Sequence, residues 1–278
     1  MFGLYFGHYL SEHGIVPEAD IAKIAALPYP AFTDELVGKK LLTRDEALKH
    51  LSEFKAEYDL SDDDVEAINS GDLKKIIPVF IFFDASEAVD ETLKVYQRDS
   101  GITEAEVEKL RSSGEYKNLL PGFIYTDPVY YNRFVGKTIE GIIRCISDKV
   151  ILKKAYAAQK FDFEHLACQE LKGEHRIFLG ISGSEDSLHA VAGKYAKREL
   201  PKMIDAAYED SLCEFINCIN GLYASELSNE NIRLEISLPA HGSDKTLVSE
   251  SSLYCLPVTV DGVETVFIFS FDNNVSII

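Results

Sequence analysis

Asp210, Glu214, Asn217 and Gly221 are four, three and four residues apart. On an α-helix, at about 100° per residue, that spacing gathers them into an arc of about 60°. Leu212, Phe215, Ile216, Ile219, Leu222 and Tyr223 take the opposite side and are expected to pack on a sheet, which turns the polar stripe outward. A carboxylate and a neutral amide one turn apart offer an anion for ion pairing and a group that both donates and accepts hydrogen bonds. The solvated side of an amphipathic helix would look similar, but two residues go beyond it. Asn is a poor helix former and gains nothing on an exposed mid-helix face. Gly221 costs about 1 kcal/mol relative to Ala in a helix interior, and its missing side chain would let another backbone come close.

The elements around this helix, expected from Met203 to Glu226, alternate helix and strand. Pro128 begins a helix that carries Val135, Ile139, Ile142, Ile143 and Ile146 at helical spacing. Strand-like stretches follow at Lys149–Ala157, Phe161–Leu171 and His175–Gly183. Ser184 can cap a helix with Leu188, Val191, Ala192 and Tyr195 on one side. After the long helix, Ile232, Leu234, Ile236 and Leu238 alternate as a half-buried strand. Tyr254–Val260, Asp261-Gly262 and Val263–Phe271 form a hairpin, since Asp-Gly favours a type I′ turn. The fold class is therefore α+β.

Residues 1 to about 75 form short helices in a pattern that occurs twice, Gly7 to Glu18 and Leu36 to Glu46, with Pro28 and Pro30 between the copies. Thr43 and Glu46 have capping-box spacing, followed by Ala47, Leu48 and Leu51 on an apolar face. Asp62-Asp63-Asp64 after Ser61 marks a solvated helix start and lacks the ligand spacing of a calcium loop. Ile76 to Phe83 suits a buried strand or a helix equally, with Asp84 after it. Thr103 and Glu106 start a further helix. A turn at Asn118–Gly122 marks the boundary between a mainly helical region, 1–125, and an α+β domain, 127–278.

The chain has 278 residues, 46% of them hydrophobic, and a formal net charge of -18. That surface repels phosphate backbones and anionic lipid, so neither nucleic acid nor a membrane surface is expected as a partner. No apolar run reaches membrane-spanning length, and the start lacks the basic segment of a signal peptide. Five cysteines without a CxxC pair suit a reduced, cytoplasmic protein. The seven histidines have no metal-ligand spacing. Gly180-Ile181-Ser182-Gly183-Ser184 fits neither a nucleophile elbow nor a phosphate loop, and Glu185-Asp186 after it would repel phosphate. Asn220, three residues after Asn217, is expected as exposed decoration of the long helix, with lining the site as the alternative.

Asp210-Ser211-Leu212-Cys213-Glu214-Phe215-Ile216-Asn217 fits Asp/Ser-x3-Glu-x2-Asn and resembles the motif of the chemotaxis phosphatases CheC and CheX, the family that also includes FliY-type proteins. Gly221 sits where CheX-like sequences have a glycine. Asn231–Pro239, Leu256-Pro257-Val258, Phe267–Asp272 and, upstream, Arg176–Ser182 also look like theirs, so the resemblance covers roughly 127–278. It implies an antiparallel sheet packed against long helices and hydrolysis of the aspartyl phosphate of a CheY-type receiver in chemotaxis or two-component signalling. By resemblance, Asn217 hydrogen-bonds the attacking water beside the phosphoryl group, where a carboxylate would be repelled. Glu214 pairs with the receiver's lysine; Gly221 belongs to the docking surface, and Asp210 either assists that docking or caps locally. The receiver brings its own Mg²⁺, so no cofactor of the chain's own is implied. CheC carries the motif twice; here Tyr131 and Phe134 stand where the other Glu and Asn would be. One site per chain is thus expected, as in CheX, whose members commonly form homodimers. A receiver-binding adaptor without catalysis is the alternative.

The N-terminal repeat resembles the paired helical units at the front of type II secretion and pilus ATPases, some of which bind cyclic di-GMP. Tyr5 stands where an arginine would contact the nucleotide, which favours a protein-docking or regulatory module over a nucleotide sensor.

Overall fold

The computed structural model describes residues 1–81, 93–94, 96–98, 100–113, 128–198 and 205–278, which fall into two compact units. The first comprises Met1–Ile81 and Lys149–Lys154; the second comprises the described residues of 82–148 and Ala155–Ile278. Asp84 and the expected turn at 118–122 lie outside the described residues.

Six helices build the first unit: α1 (Phe2–Glu12), α2 (Glu18–Ile21), α3 (Ala31–Gly38), α4 (Arg44–Glu57), α5 (Asp62–Ser70) and α6 (Leu73–Phe80). The copies of the repeat correspond to the steps from α1 to α2 and from α3 to α4. Helix α4 opens with the expected capping box, Thr43 accepting from the Glu46 amide while Glu46 accepts from that of Thr43. Its buried face is Ala47 and Phe54, one helical repeat apart, whereas Leu48 is 53% exposed. The solvated start at Asp62–Asp64 is α5, capped by Ser61. The ambiguous run from Ile76 is helical through Phe80, because Ile76 and Phe80 lie one turn apart and share a buried face. Phe2, Phe6, Phe32 and Phe54 interlock as an aromatic core. Val150–Leu152, the short strand β1, belongs to this unit; the Leu152 amide donates to the Tyr5 hydroxyl (3.1 Å).

The second unit is α+β. Its helices are α7 (Glu104–Ser113), α8 (Pro128–Cys145), α9 (Glu185–Ala196) and α10 (Asp205–Ser228). Its strands are β2 (Tyr156–Gly173), β3 (Arg176–Gly183), β4 (Leu234–Ile236), β5 (Ala240–Val260), β6 (Val263–Phe271) and β7 (Val275–Ile277). Thr103 and Glu106 cap α7, and Ser184 caps α9, as their spacings predict. The sheet differs from expectation in its strand lengths. The stretches predicted at 149–157 and 161–171 resolve into a three-residue β1 and an 18-residue β2. The C-terminal hairpin turns at Asp261 and Gly262, both at positive φ, but β5 begins fourteen residues before Tyr254.

That length lets the sheet curl back on itself. All pairings are antiparallel, in the order β5-β6-β3-β2-β4. The C-terminal part of β5 pairs with β6, Tyr254 opposite Phe269, while the rest runs along β2 from Cys255 opposite Tyr156 to Ala240 opposite Cys168. Strands β2, β3, β6 and β5 thus close a ring. Inside it Leu166, Cys168, Phe178, Leu253, Cys255 and Ile268 pack together. Alternate residues point outward. Tyr254, Phe269 and Phe271 on this face meet Tyr131 and Phe134 of α8, and Phe267 meets Phe215 of α10. By the same alternation Ala167, Gln169 and Leu171 face away from the ring interior.

The strand expected at 232–238 is reduced to β4. It pairs with the end of β2 over three residues, and Ile236 and Leu238 are 42% and 91% exposed. Ile232 and Leu234 are half-buried, so the alternation carries through only the first half of the stretch at this sheet edge.

Candidate functional site

Helix α10 buries Leu212, Phe215, Ile216, Ile219 and Tyr223 and leaves Asp210, Glu214 and Asn217 exposed, with Gly221 half-buried. Two expectations on this helix are corrected. Leu222 is 52% exposed, and Asn220 is fully buried. With Glu214 at 0°, the buried residues span about 100° to 260° around the axis. Leu222, near 80°, falls just outside that arc and Asn220, near 240°, falls inside it.

Asp210, Glu214 and Asn217 line one wall of a groove of about 720 Å³. Ile236, Ser237, Leu238 and Pro239 form the opposite side; Gln169, Cys213 and Arg198 also contribute. Gly221 is not part of the lining, though a methyl group there would lie 3.9 Å from Ile236 Cδ1. The 236–239 wall is held to β2 through Ser237: its amide and hydroxyl both donate to the Glu170 carbonyl, at 3.0 and 2.7 Å.

Under the groove lies a buried amide network that the spacing of motif residues does not reveal. Gln169 Nε2 donates to Asn217 Oδ1 and to the Ser237 carbonyl, each at 2.9 Å, and Gln169 Oε1 accepts from Asn220 Nδ2 at 2.9 Å. Gln169 is 2% exposed. The one sequence signal for it is an amide within the apolar run Leu166 to Leu171, since such a group is buried only with its hydrogen bonds made. Asn217 therefore has a partner within the fold, contrary to the expectation that it gains nothing there.

Cys213 is the one nucleophile-forming thiol at the groove, and burial, reinforced by Asp210 and Glu209, pushes it up to about 11. It stays a neutral thiol at physiological pH. Among the described residues no group of three or more His, Cys, Asp or Glu side chains is placed to hold a metal ion. The groove thus offers carboxylates and an amide on a rigid helix. That set suits orienting a water or docking a cation-bearing partner.

Tyr131 and Phe134 are both fully buried, on the face of α8 that packs on the sheet. Tyr5 is fully buried as well, stacked on Phe80. No helix among the described residues is long and apolar enough to cross a membrane.

An antiparallel sheet backed by two long helices, one carrying an outward Glu-x2-Asn pair, defines the class of domain. Residues 165–260 match the family described as chemotaxis phosphatase CheX, a stretch that contains Asp210, Glu214, Asn217 and Gly221. Among solved structures, the chain is similar to a CheX chemotaxis protein from Desulfovibrio desulfuricans, with 17% identity and a TM-score of 0.44 over 51% of this chain and 98% of that one. A CheC-like superfamily protein from Shewanella sp. PV-4 gives 15% identity and a TM-score of 0.45 over 52% and 99%. A CheX–CheY–BeF3–Mg²⁺ complex from Borrelia burgdorferi gives 15% and 0.40 over 51% and 97%. No curated protein matches the chain.

Proposed function

We propose that the second unit accelerates hydrolysis of the aspartyl phosphate of a CheY-type receiver protein. The observation that carries this is the exposure of Glu214 and Asn217 together on one groove wall, inside the stretch that matches CheX. An aspartyl phosphate is an activated acyl phosphate. Water attacks phosphorus in line, the bond from phosphorus to the aspartate oxygen breaks, and free carboxylate and inorganic phosphate result, the water's proton passing to phosphate or solvent. The receiver supplies Mg²⁺ and a lysine, so this chain contributes no cofactor. Asn217 holds the water in line, a positioning role suited to a neutral amide beside a phosphoryl group. Glu214, one turn back, pairs with the receiver's lysine, and Asp210 and Gly221 extend the docking surface.

The same reading makes the active species a homodimer and the region 1–125 a docking or regulatory module. Burial of Tyr5 favours that over a cyclic di-nucleotide sensor, because its ring is stacked on Phe80 inside the core.

The test uses a purified receiver phosphorylated with acetyl phosphate. Wild-type protein is expected to speed phosphate loss, and Asn217→Ala to lose the acceleration. Phosphate loss no faster with either protein than from the receiver alone, across plausible receivers and with binding retained, would establish the non-catalytic adaptor instead.

A further inference from the structure

We propose that Gln169 is a positioning residue that dictates which amide atom of Asn217 faces the groove, so that Nδ2 and not Oδ1 meets the phosphoryl site. This rests on the hydrolase reading above and deepens it.

The orientation follows from donor and acceptor counting. A backbone carbonyl can only accept, so the Ser237 carbonyl requires Gln169 to turn Nε2 toward it (2.9 Å). The second Nε2 hydrogen then points at Asn217, which must answer with an acceptor, Oδ1 (2.9 Å). The remaining Gln169 atom, Oε1, needs a donor and finds Asn220 Nδ2 (2.9 Å). Rotating the Asn217 amide by 180° would set donor against donor, and rotating Gln169 would set Oε1 against the Ser237 carbonyl. Each amide in the chain fixes the next.

The arrangement is anchored from below. Gln169 and Asn220 are buried at 2% and 0% exposure, and Ser237 is held by its own bonds to Glu170. Asn217 is itself exposed, and its Nδ2 has no hydrogen-bond partner among the described residues. A surface amide that would otherwise flip between two orientations is thereby held in one before any partner arrives. The consequence is chemical: an N–H, not a lone pair, faces the anionic phosphoryl group. Water held by that N–H accepts with one lone pair and keeps the other directed at phosphorus. Asn220 completes the network from within the core, its Nδ2 donating to Gln169 Oε1.

Two variants and one spectroscopic measurement test this. Gln169→Leu keeps much of the volume and removes the clamp. Gln169→Glu replaces the donor with an oxygen, so that Asn217 turns Nδ2 inward. In single-turnover dephosphorylation both are expected to slow the chemical step by about 10- to 100-fold, with KM for the receiver within about threefold, because Glu214 is untouched. In side-chain amide NMR of the wild-type protein, with Asn217 assigned by its loss in Asn217→Ala, the Gln169 amide protons should exchange slowly with water and those of Asn217 rapidly. In Gln169→Glu the Asn217 amide protons should become protected. Wild-type rates in both Gln169 variants, alongside a dead Asn217→Ala, would overturn the positioning role and leave the hydrolase reading standing. Wild-type protein that gives no acceleration would instead remove the hydrolase reading, and the exchange data would still report whether Gln169 orients Asn217. Rapid exchange at Gln169 in the wild type overturns the proposal even where neither variant folds.

Discussion

A methyl group added at Gly221 would lie 3.9 Å from Ile236 Cδ1, an ordinary van der Waals contact. The fold itself therefore does not need glycine here, although a helix-interior glycine is unfavourable relative to alanine by about 1 kcal/mol. Gly221→Ala is expected to raise stability by about that amount, read as a higher urea midpoint. Where the surface serves close approach of a receiver, the same substitution should raise KM for that receiver and leave kcat nearly unchanged. A stabilised variant with unaltered KM would take Gly221 out of the docking surface.

Glu214 and Asn217 should separate in the same way. Glu214 is exposed, so Glu214→Ala should change stability by no more than about 0.5 kcal/mol. Its effect should fall on receiver association and shrink as salt screens the ion pair with the receiver's lysine. Asn217→Ala should act mainly on kcat, and should cost about 1 kcal/mol of stability because one Gln169 donor loses its partner. Titrating receiver concentration at two ionic strengths distinguishes the profiles. A salt-independent defect in Glu214→Ala would argue against the ion pair.

Tyr131 and Phe134 hold α8 against the sheet, so restoring Glu and Asn there should not create a second site. Phe134 packs edge-on against Phe269 and Phe271 and lies 4.6 Å, centroid to centroid, from Tyr223 of α10. Phe134→Ala should cost about 3–5 kcal/mol, measurable by chemical denaturation. Tyr131→Glu with Phe134→Asn should give a poorly folded protein without added phosphatase activity. A folded double variant with doubled activity would contradict this assignment.

These residues also show which parts of the structure local sequence can carry. Thr43 with Glu46, Ser184, and Asp261-Gly262 were legible because a cap or a tight turn is decided within a few residues. The stripe on α10 was legible because helical periodicity alone sets it, except at Leu222 and Asn220, which straddle the edge of the buried arc. Closure of the sheet was not legible, since it depends on the register between residues as far apart as Tyr156 and Cys255. Ile232 to Leu238 alternate as a half-buried strand would, but alternation does not say whether a layer exists to cover them. The role of Gln169 is hidden from local sequence for the same nonlocal reason: its partners come from α10 and from the segment after β4.

The buried thiols of the second unit make its stability fall at alkaline pH. Burial pushes Cys168 and Cys255 up from 9.0 to about 12, and burial with the nearby Asp210 and Glu209 carboxylates pushes Cys213 up to about 11. Burial also raises Tyr131 and Tyr223. The folded state holds these protons more tightly than the unfolded chain does. Their contribution is therefore complete below the unfolded value of 9.0 and is lost as pH rises from there through the folded values of about 11 to 12. Urea midpoints should be level from about pH 7 to 8.5 and then decline through about pH 10.5. Cys213→Ser removes one such thiol without a new titrating group, so its decline should be shallower than that of the wild type. A midpoint that stays level to pH 10.5, or an equal slope in Cys213→Ser, would show that these thiols are not the protonated, buried groups that this packing requires.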